Sequence, residues 1–397
     1  MSNKGTVYRI TVLSSLSFFI HGLNLLSYGA VQGDVIAELN FSLTESGLLV
    51  AIYFIPYAVM QIPGGHLADR LGGEKTIAIF MSITCLAAFG FSQINSFAEA
   101  LAFRFIIGFG TAPLLPSAIR TLSHRLVERK LDKANGILAA GWGISFVVVL
   151  NLVPVVSTNF GWRLSLLIIS LITFVVASYA WATTRYIKPL SRHVNYSKTT
   201  KKGQLLTRKL CFVILINTAA IAISVGAVAW APLQLQSLFN ISPIDSGRII
   251  SLMGVMCIVA AILGGIASKV MERKNIFLVS SAVVFLAVAL LINPVNLIVT
   301  TGVLMVLGFS STFYVASLFS IVTDVTPLGK IRPGFVFGVL NTISNVAAFF
   351  PPFIMGLALD LTQSFAYGFA VLLVTAGIGL LGAIMLRASS TRDSSHS

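Results

Sequence analysis

Apolar residues in this chain run in long blocks, without the alternation of a half-buried strand or the narrow stripe of a soluble amphipathic helix. Blocks of about 18 to 23 residues, enough to cross ~30 Å of hydrocarbon, fall at roughly 10–30, 44–63, 76–95, 98–119, 135–156 and 163–182. After a polar gap they resume at roughly 210–232, 246–268, 275–292, 297–320, 335–358 and 365–387. The pattern predicts an all-α membrane protein of twelve transmembrane helices arranged as two six-helix bundles. The expected division is an N-terminal bundle over 1–182, a basic linker over 183–209 and a C-terminal bundle over 210–397.

Composition agrees with lipid as the solvent: 56% of the 397 residues are hydrophobic and only 10% charged, against roughly 25% charged in a soluble domain. Lys4 and Arg9 precede the first block in the manner of a signal peptide, but the block is long and lacks a small-x-small cleavage site. An uncleaved first helix is therefore expected. The net charge of +14 would suit nucleic acid, yet its placement argues otherwise. Twelve spans put both termini on one side, and that side holds 24 of the 27 Lys and Arg residues, against Arg163 and Arg248 opposite and Arg104 within a span. By the positive-inside rule both termini are cytoplasmic, and the basic face meets anionic lipid. The linker carries eight basic residues and no acid, reading as a solvated tether or a regulatory segment. The three cysteines, Cys85, Cys211 and Cys257, sit in separate apolar blocks, supporting neither disulfide nor metal site.

Residues 61–76, QIPGGHLADRLGGEKT, interrupt this apolar texture. A phosphate-binding loop is excluded because Glu74 separates Gly73 from Lys75. The motif recurs, degraded, 200 residues on: Gly64-Gly65 matches Gly264-Gly265, and Asp69 matches Lys269. Gly65-x-Leu67-Ala68-Asp69-Arg70-x-Gly72 resembles the loop signature of the major facilitator superfamily. Arg104-x-x-x-Gly108-x-Gly110, the basic loop from Arg120 to Lys133, and Gly161-Trp162-Arg163 resemble that family too. Where its motif usually ends in a basic pair, this chain has Gly73-Glu74. The resemblance implies a cytoplasmic gate built on Gly65, Asp69, Arg70 and Gly72, with Asp69 meeting the start of the eleventh helix near Pro333-Gly334. The plainer alternative is a solvated tight turn that marks topology.

Charged side chains in hydrocarbon are costly and point to function; Arg104 is the one charged residue clearly inside a span, and no carboxylate is. His21, Asn24, Tyr28 and Gln32 recur at spacings of three and four, one polar stripe on the first helix. Asn24 and Tyr28 lie at the depth of Arg104, so the three are expected to meet, with Arg104 binding an anionic group. The alternative pairs Arg104 with Asp34 or with backbone carbonyls of the first helix. In organic-anion symporters that resemble this chain around QIPGG, a glutamate often stands where Thr111 is. His21, titrating near neutrality when unperturbed, is the proton-coupling candidate, or else a neutral histidine packing the wall. Asn217, Tyr314 and Asn341 form a second candidate substrate layer, or ordinary interhelical bonds. Tyr53, Tyr57 and Gln61 share a face read as packing. Pro113, Pro116, Pro154 and Pro232 are expected to kink their helices.

Taken with the resemblance, these features point to a secondary or facilitative transporter of a small solute, preferentially a small organic anion, working by alternating access. Efflux of amphipathic compounds and a non-transporting sensor of the same fold are the alternatives. The fifth helix has no Gly-Pro pair, so the signature of proton-driven drug exporters is missing. No nucleophile–base pair, metal cluster or cofactor motif occurs, so neither an enzyme nor a cofactor is expected. The expected partners are the solute, protons and the bilayer of the plasma membrane, and the expected state is a monomer.

Overall fold

The structure is a computed structural model describing residues 4–126, 128–186, 208–315, 317–318 and 333–394. Among them all regular structure is helical. The chain divides into two compact units, Met1–His193 with Ser242–Ser251, and Val194–Ile241 with Leu252–Ser397. The linker expected over 183–209 falls mostly outside the described residues.

The first unit holds α1 (Lys4–Leu39), α2 (Leu43–Ala51), α3 (Phe54–Leu71), α4 (Gly73–Phe91), α5 (Phe97–Thr111), α6 (Leu114–Arg125), α7 (Glu128–Phe160) and α8 (Trp162–Tyr186). The second holds α9 (Arg208–Phe239), α10 (Pro243–Val270, whose first turns group with the first unit), α11 (Arg273–Ile292), α12 (Leu297–Phe313), α13 (Pro333–Ala347), α14 (Phe350–Thr362) and α15 (Phe365–Ser394). Eleven helical stretches are long and apolar enough to cross a membrane, and the described part of the tenth span, Leu297–Phe313, is a shorter apolar helix. These account for the twelve expected spans.

Three spans consist of two helices each, and proline explains every break. A proline lacks the N–H for its i−4 carbonyl, and its ring crowds that carbonyl. Pro56 acts on Ile52 between α2 and α3; Pro116 acts on Ala112 between α5 and α6; Pro351 and Pro352 act on Ala347 and Ala348 between α13 and α14. Pro154 and Pro232, also expected to kink, sit within helices that continue through them.

Two boundaries differ from expectation. Helix α1 runs on to Leu39, carrying Asp34 and Glu38 as helical residues. Their partners from other helices keep the polar turns folded: Ser157 donates to Asp34, and Trp162 Nε1 donates to Glu38 at 2.7 Å. The supposed loop beginning at Gly64-Gly65 is instead helical. Helix α3 continues to Leu71, and the turn is the single residue Gly72 at φ 90°, a conformation that suits glycine.

The 200-residue repeat extends to packing. Asn40 and Asn240, both left-handed at φ 54° and 51°, end α1 and α9. Ser42 caps α2 with Glu45, and Ser242 caps α10 with Asp245. Ser96 and Asn296 cap α5 and α12. A Cβ on Gly64 would lie 2.8 Å from Pro113, and one on Gly264 would lie 2.1 Å from the Phe313 carbonyl. A Cβ on Gly108 would meet the Tyr53 carbonyl at 2.2 Å, and one on Gly308 the Met253 carbonyl at 2.5 Å. Every one of these positions and partners is displaced by 200 residues between the halves. In lipid, helices associate through such close backbone approach, because apolar side chains gain little by leaving the tails.

Gly108→Val and Gly308→Val should each cost about 1–3 kcal/mol or more from overpacking against backbone. Gly265→Ala, where a Cβ meets nothing within 4 Å, should be neutral or gain about 0.5–1 kcal/mol from helix propensity. Melting of the purified protein in detergent checks both; a Gly108→Val protein as stable as its parent would contradict the packing described.

Candidate functional site

The break at Pro56 ends α2 at Ala51 and leaves its last carbonyls without the i+4 donors of a continuing helix. Arg104 of α5 answers that need. Its Nε donates to the Leu49 carbonyl at 3.0 Å, and its Nη1 donates to the Asn24 carbonyl of α1 at 3.0 Å. A cation at a helix C-terminus is electrostatically favoured. The guanidinium is 0% exposed and lies over three rings, 5.1 Å from Tyr53, 5.5 Å from Tyr28 and 5.8 Å from Phe91. Such faces attract a cation. No carboxylate among the described residues pairs with it, and Nη2 has no hydrogen-bond partner.

Tyr53 extends the cluster. Its hydroxyl lies 2.9 Å from His21 Nδ1 and 2.5 Å from Thr111 Oγ1, whose own hydroxyl reaches the Ile107 carbonyl at 2.9 Å. His21 is stacked on Phe18, Tyr57 and Trp142, with ring centroids at 5.6, 4.8 and 5.1 Å. A Cβ on Gly22 would fall 1.9 Å from Ser145 Oγ, so glycine there lets α1 close on α7 beside this stack.

The stripe on α1 therefore disperses. His21 turns to Tyr53. Asn24 instead donates to Thr173 of α8 at 3.2 Å and to the Ile20 carbonyl, so its backbone, rather than its side chain, meets Arg104. The Tyr28 hydroxyl is taken by Ser46 of α2 at 2.6 Å, while its ring lies beside the arginine. Gln32 is buried with neither amide atom bonded. The sequence expectation for Tyr53 and Tyr57 is packing, yet Tyr53 is the residue that joins His21, Arg104 and Thr111. Its i, i+4 spacing with Tyr57 is the one signal in the sequence, and the helix break before α3 obscures it.

In the second unit Asn217 and Tyr314 do meet. The Tyr314 hydroxyl donates to Asn217 Oδ1 at 3.2 Å, and Asn217 Nδ2 donates to Ser344 Oγ at 2.8 Å. Thr218 Oγ1 lies 3.1 Å from the same serine. Ser344, one turn after Asn341, takes the place expected of that asparagine. The Asn341 carbonyl accepts from Asn345, and no described hydrogen bond joins Asn341 to Asn217 or Tyr314.

At the end of α3, Arg120 Nε donates to Asp69 Oδ1 at 2.5 Å and Arg120 Nη2 donates to the Asp69 carbonyl at 3.1 Å. Arg125 Nε donates to Glu74 Oε1 at 2.6 Å. Two acids five apart thus face two arginines five apart on α6, and a Cβ on Gly73 would clash with the Ser117 carbonyl at 2.5 Å. Gly65 and Gly72 sit on either side of Asp69, and Arg70 is exposed. The start of the eleventh helix, implied as a partner of Asp69, lies in residues 333–337, whose side chains fall outside those described. In the sequence Arg120 and Arg125 stand out only as part of a basic loop.

Arg104→Lys replaces a planar fork by one ammonium, which lacks the two separate donor nitrogens that reach the Leu49 and Asn24 carbonyls. Tyr53→Phe strips His21 and Thr111 of a shared partner at about 1–3 kcal/mol. Both variants should melt below the parent in detergent; unchanged melting for both would remove this cluster from the fold's supports.

A family model described as Major Facilitator Superfamily matches residues 13–352. The "Probable galactarate/D-glucarate transporter GudP" of Bacillus subtilis (strain 168) is 23% identical, with 90% of this chain and 86% of that protein aligned. The "Probable sulfoacetate transporter SauU" of Cupriavidus necator is 22% identical over 98% of this chain and 96% of that protein. Among solved structures, a bacterial homolog of the human lysosomal transporter Spinster, inward-facing and occupied, superimposes with a TM-score of 0.79 at 15% identity over 98% of both chains.

Proposed function

This multi-pass membrane transporter belongs to the Major Facilitator Superfamily, and we propose that its solute is a small organic anion, carried across the plasma membrane by alternating access of two bundles. The observation that carries this reading is the buried Arg104, which among the described residues has no counter-charge and one idle N–H edge. A buried cation without an anion is costly, and a carboxylate or sulfonate on the solute supplies the missing charge. Relatives named for galactarate, glucarate and sulfoacetate transport support the same class. His21, Asn24, Tyr28 and Arg104 from the first unit, with Asn217, Tyr314 and Asn341 from the second, form the proposed binding set.

Protons are the proposed coupling ion and His21 the group that takes them, since its Tyr53 bond continues to Thr111. Gly65, Asp69, Arg70 and Gly72 form the proposed cytoplasmic gate, with both termini on that side and the basic 183–209 segment joining the bundles. Asp69 is held by Arg120 within the first unit. Neutralising it weakens that hold, and with it the latch.

Counterflow in liposomes tests the proposal. Protein preloaded with galactarate or sulfoacetate should exchange label in a saturable way, and Arg104→Gln should lower exchange at least tenfold. Exchange of amphipathic cations with no anion accepted would select the efflux alternative, and ligand binding without exchange would select a sensor. His21→Gln should flatten the pH dependence of uptake. Asp69→Asn should increase labelling of cysteines placed in the cytoplasmic half of the cavity; equal labelling in mutant and parent would count against the gate.

A further inference from the structure

Most described arginines of the first unit have partners. Arg104 caps α2, Arg120 and Arg125 bind Asp69 and Glu74, and Arg163 binds Glu38 and the Ile94 carbonyl. Arg9, Arg70 and Arg185 are exposed, and no acidic partner for any of the three occurs among the described residues; of these, Arg9 and Arg185 lie on α1 and α8. Arg9 lies at the seam of α1 and α8, where its guanidinium is 4.4 Å over the Tyr186 ring and the Tyr179 hydroxyl donates to the Arg9 carbonyl at 3.5 Å, and Arg185 directly precedes Tyr186 on α8. Tyr186 itself is 71% exposed.

The outward face of α8 leads into this pair. Leu171, Phe174, Val175 and Trp181 are exposed at helical spacing and continue to Arg185 and Tyr186, while Trp181 Nε1 is tied to Ser82 of α4 at 3.0 Å. From Leu171 to Tyr186 the stripe covers about 22 Å at 1.5 Å per residue. That is about half of a bilayer's full 40–45 Å thickness, one leaflet with its headgroups.

We propose that the α1–α8 seam is a binding site for an anionic phospholipid, its headgroup phosphate on Arg9 and Arg185 and its acyl chains along Leu171, Phe174 and Val175. Contact with the Tyr186 ring restrains the Arg9 guanidinium, whose N–H groups suit phosphate oxygens. The apolar track is what commits the site to a lipid: a soluble phosphate would have no use for it.

Native mass spectrometry of the full chain from nanodiscs of mixed phosphatidylglycerol and phosphatidylcholine tests the site, alongside melting in mixed and in pure phosphatidylcholine discs. Phosphatidylglycerol should be retained on the parent and raise its melting temperature. Retention should weaken about fivefold for each cation removed in Arg9→Gln and Arg185→Gln, and also in Tyr186→Ala. Arg387→Gln, an exposed cation on α15, should behave as the parent. Adducts are counted on the folded fraction, so a less stable variant still reports. An equal loss in Arg387→Gln would show diffuse charge attraction and overturn the site. Glycerol phosphate in solution matching the lipid's effect on melting would overturn it as well.

Discussion

Arg104 on the Leu49 carbonyl is the contact from which the rest of the first unit is organised. Pro56 breaks a membrane helix where no water can satisfy the freed carbonyls, and in hydrocarbon each such group costs several kcal/mol. The fork of an arginine from α5 meets one carbonyl of α2 and one of α1 at 3.0 Å each. Burying that cation then requires π faces in place of water, and Tyr28, Tyr53 and Phe91 provide them. Tyr53, fixed by the arginine, orients His21 and Thr111. A proline and a tyrosine at the start of α3 and an arginine of α5 thus form one unit that is structural in this conformation and electrically unfinished, which is why an anionic solute suits it.

Glycine supplies the other constraint. Gly22 against Ser145, Gly108 against Tyr53 and Gly308 against Met253 mark places where one helix runs along another at backbone distance. The two halves repeat caps, left-handed asparagines and glycine contacts at one offset while sharing few of their side chains. His21 has Ile221 at its repeat position and Arg104 has Leu304, so neither of these two groups is repeated in the second half.

Charge in this chain sorts into three kinds. Ion pairs such as Arg120–Asp69 and Arg125–Glu74 hold helix ends together, and Glu74 uses the departure from the family's basic pair to make the second of them. The buried Arg104 stands in a low-dielectric interior, where its charge acts strongly on anything that approaches. Exposed cations at helix ends are the third kind. The net charge of +14 has one fully buried contributor among the described residues, Arg104.

Span number, fold class and the duplication were legible in the residues, because twelve apolar blocks and a glycine pair repeated 200 residues apart depend only on solvent and on chain geometry. The importance of Arg104 was legible too, since a lone charge in hydrocarbon is rare. What it touches was legible in part: carbonyls of the first helix were one expected alternative and the Asn24 carbonyl fits it, whereas nothing in the residues marks the Leu49 carbonyl. Tyr53 could not be told from packing until the break before α3 turned it toward His21, and Asn24 shared a stripe with Tyr28 yet bonds a different helix. The hinge at 64–72 looked like a loop because glycine weakens a helix in water, whereas packed against Pro113 the same glycines are what let α3 continue. The sequence by itself determined where lipid and water lie along the chain; only tertiary packing decided which buried polar groups satisfy one another, because hydrogen bonds in hydrocarbon are chosen by three-dimensional neighbours and not by spacing.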